Sequence, residues 1–241
     1  MKKLFVIYLA VLASSFMFSC QPSKILVATF EADALNAPPA KDLPGSPSGD
    51  VIEYHTGVEP QLKVQTSSIA GAKALHYTNV VIGEVPAHQR GIVFKGVGTA
   101  LTKTTWITYT GQNTGASTKD VYIYVSDGYG HFMAAMRIRA NGEVGLTNDL
   151  AQGNYAVIGN VGTEVHTVIF TLSPSTLKYN VTIFKETGPA ILAENKSMIT
   201  EDALSFNNPA RPSISFAHQE AASPGHTYAI GSVSITRKKP N

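Results

Sequence analysis

Residues 120–144 read DVYIYVSDGYGHFMAAMRIRANGEV, and their alternation decides the fold. Val121, Ile123 and Val125 fall on one face of an extended strand, with Tyr122 and Tyr124 on the other, because strand side chains alternate with a period of two. Asp127-Gly128 follows as a turn signal. The next run places Phe132, Ala134, Met136 and Ile138 on one face, and His131, Met133, Ala135, Arg137 and Arg139 opposite. Asn141-Gly142 then marks a hairpin, since both residues tolerate positive φ. Alternating strands joined by tight turns predict an antiparallel sheet with one buried face.

The same rhythm runs outward in both directions. RGIVFKGV, TTWITYTG, EVHTVIFTL, LKYNVTIFK, RPSISFAHQ and TYAIGSVSITR alternate in the same way, and ILVATF, QLKVQT and KALHYTN are further strand candidates. Ser173-Pro174 and Ser223-Pro224-Gly225 supply turns between them. The total is roughly a dozen strands with no internal repeat. Helical periodicity is poor after the first twenty residues, and one short helical turn is expected near Thr200–Leu204. The stretch EADALNAPPAKDLPGSPSGD, residues 31–50, reads as a long surface loop. Charged residues make up only 15% of the chain, against 20 Gly and 13 Pro, which favours strands and turns over helices. Many short antiparallel strands, each with one buried face, pack as two sheets or close into a barrel.

The chain opens MKKLFVIYLAVLASSFMFSC. A basic start at Lys2 and Lys3, an apolar run from Leu4 to Phe18 and the small residue Ser19 describe a secretory signal peptide. Cys20 is the only cysteine. It reads as a buried thiol, as half of an intermolecular disulfide, or as a lipidation site. The segment MFSC resembles the lipobox of bacterial lipoproteins, in a loose form seen in the Bacteroidetes, with Met17 and Phe18 departing from the stricter pattern. That resemblance implies lipidation of Cys20, durable anchoring by several acyl chains, and, with Gln21 in place of Asp, the outer membrane of a Gram-negative envelope. The expected organisation is a signal peptide at 1–19, a lipidated Cys20 and tether at 20–24, one β-sandwich domain at 25–237, and a basic tail at 238–241. Setting aside Lys2 and Lys3 leaves 17 basic against 17 acidic residues. That balance argues against nucleic acid as a partner. Arg237, Lys238 and Lys239 form the one basic cluster, which reads as a solvated tail.

The order of the pieces carries a second resemblance. An early ATFEAD strand precedes a Pro/Gly loop, the central VSDGYGHFMAAMRIRANGEV and VHTVIFTLSPSTLKYNVTIF follow, and YAIGSVSITR is last. This is similar to the concanavalin A-like, LamG-like jelly roll of lectins, carbohydrate-binding modules, glucanases and polysaccharide lyases. The resemblance implies an all-β, two-sheet antiparallel jelly-roll sandwich. Many relatives place an acidic residue near a calcium in the last strand. Gly231 stands at about that place here, which leaves such a calcium without that ligand, and no cofactor is expected.

Catalytic signatures are missing. GVGTALTKT lacks the Gly before Lys103 that a phosphate loop needs, GSPSG has Pro47 where a nucleophile elbow needs Ser, and the seven His lack metal-ligand spacing. The strand-borne carboxylate pair of jelly-roll glucanases is absent. What remains is a set of aromatic and polar residues on non-core strand faces: Tyr122, Tyr124, His131, Arg137 and Arg139, with Trp106 and Tyr109 from the preceding strand. Sugars stack on aromatic rings, and Arg pairs with the carboxylate of a uronic acid. β-Propensity alone also explains exposed tyrosines, Arg137 and Arg139 also read as a solvated face, and Trp106 also reads as core. The leading expectation is a non-catalytic carbohydrate-binding or accessory module of the envelope. A polysaccharide lyase is the enzymatic alternative, with Arg137 or Arg139 neutralising a uronate and His131 or Tyr124 as base. A structural envelope protein that docks a protein partner is the third reading.

Overall fold

The computed structural model describes residues 23–240 apart from 44–45, 48–50, 68, 70, 79–90, 115–119, 203–204 and 219–226. The expected signal peptide at 1–19, Cys20, part of the expected Thr200–Leu204 turn and the expected Ser223-Pro224-Gly225 turn lie outside the described residues. In chain order the strands are β1 (Lys24–Thr29), β2 (Val51–Tyr54), β3 (Leu62–Thr66), β4 (Lys73–Thr78), β5 (Gly91–Lys95), β6 (Thr105–Asn113), β7 (Val121–Ser126) and β8 (Phe132–Ile138). They continue as β9 (Glu143–Thr147), β10 (Ala156–Asn160), β11 (His166–Ser173), β12 (Lys178–Lys185), β13 (Ile191–Ser197), β14 (Ser213–His218) and β15 (Thr227–Thr236). Short 3-10 turns at Thr56–Gln61 and Pro174–Thr176 are helical elements between them.

The strands form two antiparallel sheets. An eight-stranded sheet runs β13-β12-β11-β6-β15-β4-β3, with β1 beside the second half of β15. A seven-stranded sheet runs β10-β9-β8-β7-β14-β5-β2. Neighbours in space are often far apart in the chain, as when β14 inserts between β7 and β5. Such crossovers are what a jelly roll requires.

The inner faces meet in one apolar cluster that reaches from Ile25 to Ile235. On β6 the inward set is Thr105, Ile107, Tyr109, Gly111 and Asn113, and on β11 it is His166, Val168, Phe170 and Leu172. Burying each large apolar side chain contributes about 1.5–3 kcal/mol, so alternation fixes the register of both sheets.

One irregularity corrects the expected faces of β8. The register between β7 and β8 pairs Val125 with Ala134 but Ser126 with Phe132, so Met133 is an extra residue in a β-bulge. The bulge turns Met133 into the core, fully buried. Phe132, expected in the core, instead lies beside Tyr124 on the outer face. Asn141-Gly142 does close the β8–β9 hairpin, with the Gly142 N–H donating to the Arg139 carbonyl.

Candidate functional site

Two tyrosine clusters sit on opposite sides of the seven-stranded sheet's plane, one outside the sandwich and one within it. The outer cluster starts on β7. Tyr122 and Tyr124 point away from the core with rings parallel to within 8° and centroids 6.4 Å apart, the spacing of successive same-face residues on a strand. Across the sheet Tyr122 pairs with Arg137, and Arg137 pairs with Gly145. On the other side Tyr122 and Tyr124 neighbour Ala217 and Ser215. The rings therefore stand above small residues.

Gly145 explains the next member. Tyr155, just before β10, lies over the sheet at this position, and a Cβ on Gly145 would sit 2.9 Å from the Tyr155 Cβ. The bare backbone lets Tyr155 approach. Its ring centroid is 5.9 Å from that of Tyr122, and the Arg137 guanidinium lies 4.8 Å from its centroid. A cation over a tyrosine face is worth about 0.5–2 kcal/mol. The Asp120 carboxylate, 3.7 Å from Arg137 Nε, balances the charge. Phe132 extends the layer, 5.6 Å from Tyr124.

Burial raises the Tyr124 hydroxyl above its ordinary range, with the hydrogen bond from Tyr155 opposing that rise. Burial, followed by the neighbouring Tyr124, pushes Tyr155 up further. Both are neutral phenols near neutral pH, able to donate and accept hydrogen bonds. The result is a half-buried layer of aromatic faces with one stacked cation.

Of the sequence candidates, Tyr122, Tyr124 and Arg137 thus come together. Arg139 lies past the end of β8, where its Nη1 is 2.7 Å from the Glu143 carboxylate across the turn. His131 belongs to a different construction. Its Nδ1 and backbone N–H both meet the Asp127 carboxylate, which also accepts from the Tyr129 backbone and from the backbone and side chain of Asn207. Burial alone would raise Asp127. The hydrogen bonds from Asn207, His131 and Tyr129 outweigh it and bring the carboxyl down to about 2. Asp127 therefore ties the β7–β8 turn to the 207–211 segment, with the Arg211 N–H donating to the Asp127 carbonyl.

Two candidates need correction. Tyr109 is fully buried, its ring edge-on to Phe216 at 5.0 Å, so it cannot line a surface. Trp106 is half-exposed but belongs to β6 of the eight-stranded sheet, between Thr171 and Thr236. The chain crosses from one sheet to the other between β6 and β7, which puts Trp106 on the far side of the sandwich.

Tyr109 instead joins the inner cluster. The Tyr228 hydroxyl is 2.6 Å from His166 Nε2 and 3.4 Å from the Tyr109 hydroxyl. His166 Nδ1, 2.9 Å from the Glu164 carbonyl, carries the ring proton, so Nε2 accepts from Tyr228. Burial lowers the His166 pKa to about 4 against the opposing pull of the Glu164 carbonyl. A Cβ on Gly111 would overlap the Tyr228 hydroxyl.

Sequence reasoning missed Tyr155, Phe132 and Asp120. The signal for Tyr155 was an aromatic residue in the turn-like GNYAV, outside any long alternating run. Among the described residues no group of three or more His, Cys, Asp or Glu could hold a metal ion.

No family model matches the chain, and no curated protein matches it in sequence. Solved structures do. The binding domain of botulinum neurotoxin DC in complex with SialylT superposes with a TM-score of 0.50 at 14% identity, over 91% of this chain and 48% of that one. Lectin II from Ulex europaeus gives 0.47 at 10% identity, over 81% of this chain and 95% of the lectin. The catalytic domain of a glycoside hydrolase family 131 protein from Coprinopsis cinerea gives 0.49 at 9% identity, over 75% and 78%. The chain spans about half the length of the toxin domain, and 17% of a matching sialidase. At these identities the likeness is one of fold alone: the chain is a two-sheet antiparallel jelly-roll sandwich.

Proposed function

We propose that this protein is a lipid-anchored module of the cell envelope that binds a glycan on the outer face of its seven-stranded sheet and does not cleave it. The observation that carries the reading is the layer of Tyr122, Tyr124 and Tyr155 with Arg137 stacked on Tyr155. Flat rings offer the apolar face of a pyranose a stacking surface, and phenol hydroxyls and a guanidinium supply hydrogen bonds at its rim. A toxin domain solved in complex with SialylT, about half of which matches this chain in fold, supports a carbohydrate as the ligand class.

Two observations weigh against a lyase. His131 is bound to the Asp127 carboxylate in the turn, and among the described residues the ring contacts of the tyrosine layer do not include it. Burial raises Tyr124, which makes its phenolate a costly base. A lyase would generate an unsaturated uronide absorbance from alginate or glycosaminoglycan, and the binding reading predicts none.

A glycan array probed with the wild type and with the Tyr124→Ala, Arg137→Ala double variant tests the site. Binding is expected in the wild type and a loss of roughly tenfold or more in the variant. Equal binding by both removes the site. The anchor rests on the MFSC segment. Its test is the intact mass of the membrane-extracted protein, expected to show acyl chains on Cys20 in the wild type and none after Cys20→Ser.

A further inference from the structure

The basic tail that reads as solvated in the sequence is pinned to the fold, and pinned next to the start of the domain. β1 runs antiparallel to the end of β15, pairing Lys24 with Thr236. The Arg237 N–H donates to the Ser23 carbonyl. The Arg237 guanidinium is spent inward, on the Thr99 hydroxyl, the Ala100 carbonyl and the Lys103 carbonyl. The Thr236 hydroxyl holds the Lys238 carbonyl at 2.7 Å. Lys24, Lys238 and Lys239 are left exposed around one shallow depression that also takes in Ser23 and Thr236. No Asp or Glu lines it among the described residues.

We infer that this end of the sandwich is a lipid-docking surface that sits on anionic phospholipid headgroups. Cys20 is four residues before Lys24, a reach of at most about 14 Å. An acyl anchor at Cys20 holds the three ammonium groups within roughly one to two Debye lengths of the headgroup plane. Each lysine near an anionic surface strengthens binding by roughly fivefold, and three by about a hundredfold. Acyl chains and a basic patch are complementary signals for one membrane. The remaining residues of the chain offset these charges elsewhere, so the asymmetry is local. The docked domain then stands with β1 and β15 rising from the bilayer, its first and last residues at the foot. The distance to the headgroups rests on the lipid-anchor reading, while the patch itself rests on the exposed Lys24, Lys238 and Lys239.

The test is flotation with vesicles, using the mature chain from residue 20 with Cys20→Ser. That chain keeps every core residue from Ile25 to Ile235 and has no acyl chain. Vesicles of phosphatidylcholine with about 30% phosphatidylglycerol are compared with pure phosphatidylcholine. The expected result is partitioning into the anionic vesicles alone, abolished by about 0.5 M salt and unaffected by millimolar inorganic phosphate. The K24E/K238E/K239E variant loses it by about a hundredfold or more, while K63E/K185E/K196E, charges on other surfaces, keeps it. Equal partitioning into both vesicle types, wild-type partitioning by the first variant, equal loss in both variants, or displacement by phosphate each overturns the docking surface. A wild-type mass without acyl chains overturns the anchor and leaves the vesicle result to decide the patch.

Discussion

Two tyrosine clusters share a building plan and differ in everything that follows from which side of a sheet they occupy. Outside, Tyr155 rests over Gly145 and packs with Tyr122, under the Arg137 guanidinium. Inside, the Tyr228 hydroxyl rests over Gly111 and meets His166 and Tyr109. Each cluster needs a glycine because a tyrosine is brought against a sheet backbone, Tyr155 by its Cβ at Gly145 and Tyr228 by its phenol at Gly111. The inner phenols satisfy a buried histidine and link three strands of the eight-stranded sheet, β11, β6 and β15. The outer phenols pack on one another and stay only part-buried. A tyrosine's work here is set by the side of the sheet it faces, and aromatic content alone does not mark a binding surface.

The largest expected difference is in stability. Tyr109→Ala opens a cavity in the core and should cost about 3–5 kcal/mol, against about 1 kcal/mol or less for Tyr122→Ala on the half-exposed face. Urea unfolding of both variants checks this. Similar losses would mean that the outer layer is core by another name.

Acid should attack the inner cluster first. The folded His166 pKa is held near 4, below the ordinary 6.5. Over that window the unfolded chain binds the extra proton, so stability falls as the pH drops from about 6.5 to 4, by about 3 kcal/mol in all. Asp127, at about 2 against an ordinary 3.8, stabilises fully above about pH 4, and that contribution of about 2 kcal/mol is lost as the pH falls towards 2. Denaturant midpoints measured across pH should therefore show two successive losses. Asp127→Asn should remove the lower one and leave the upper.

The two glycines sharpen the comparison at smaller cost. Gly111→Ala drives a Cβ into the Tyr228 hydroxyl, with an expected loss of about 1–3 kcal/mol from overpacking. Gly145→Ala displaces Tyr155 on the surface, with an expected loss of about 1 kcal/mol or less in stability and a clear loss of glycan binding. Thermal melts paired with binding on the same samples separate the two.

Much of the fold was legible because burial follows a period of two. The strands around Val121–Ile138 and the Asn141-Gly142 hairpin could be read from residues alone. The sheet to which each strand belongs could not, since β6 and β7 are neighbours in the chain and lie in different sheets. Trp106 and Tyr109 were grouped with Tyr122 and Tyr124 for that reason. The bulge at Met133 escaped because one inserted residue inverts a strand's faces without changing its composition. Tyr155 escaped because its place over Gly145 is a contact between a loop and a strand. Within the site, the β7 tyrosines and Arg137 were readable from their strands, and the residues that complete the layer were set by register.

The most direct test of the account compares the two outer faces. Affinity for a glycan captured on the array is measured by calorimetry for Tyr155→Ala, on the seven-stranded sheet, and for Trp106→Ala, on the eight-stranded sheet. The account predicts a loss of about tenfold or more for Tyr155→Ala and less than about twofold for Trp106→Ala, with both proteins folded. Unchanged affinity in Tyr155→Ala, or the larger loss in Trp106→Ala, would contradict it.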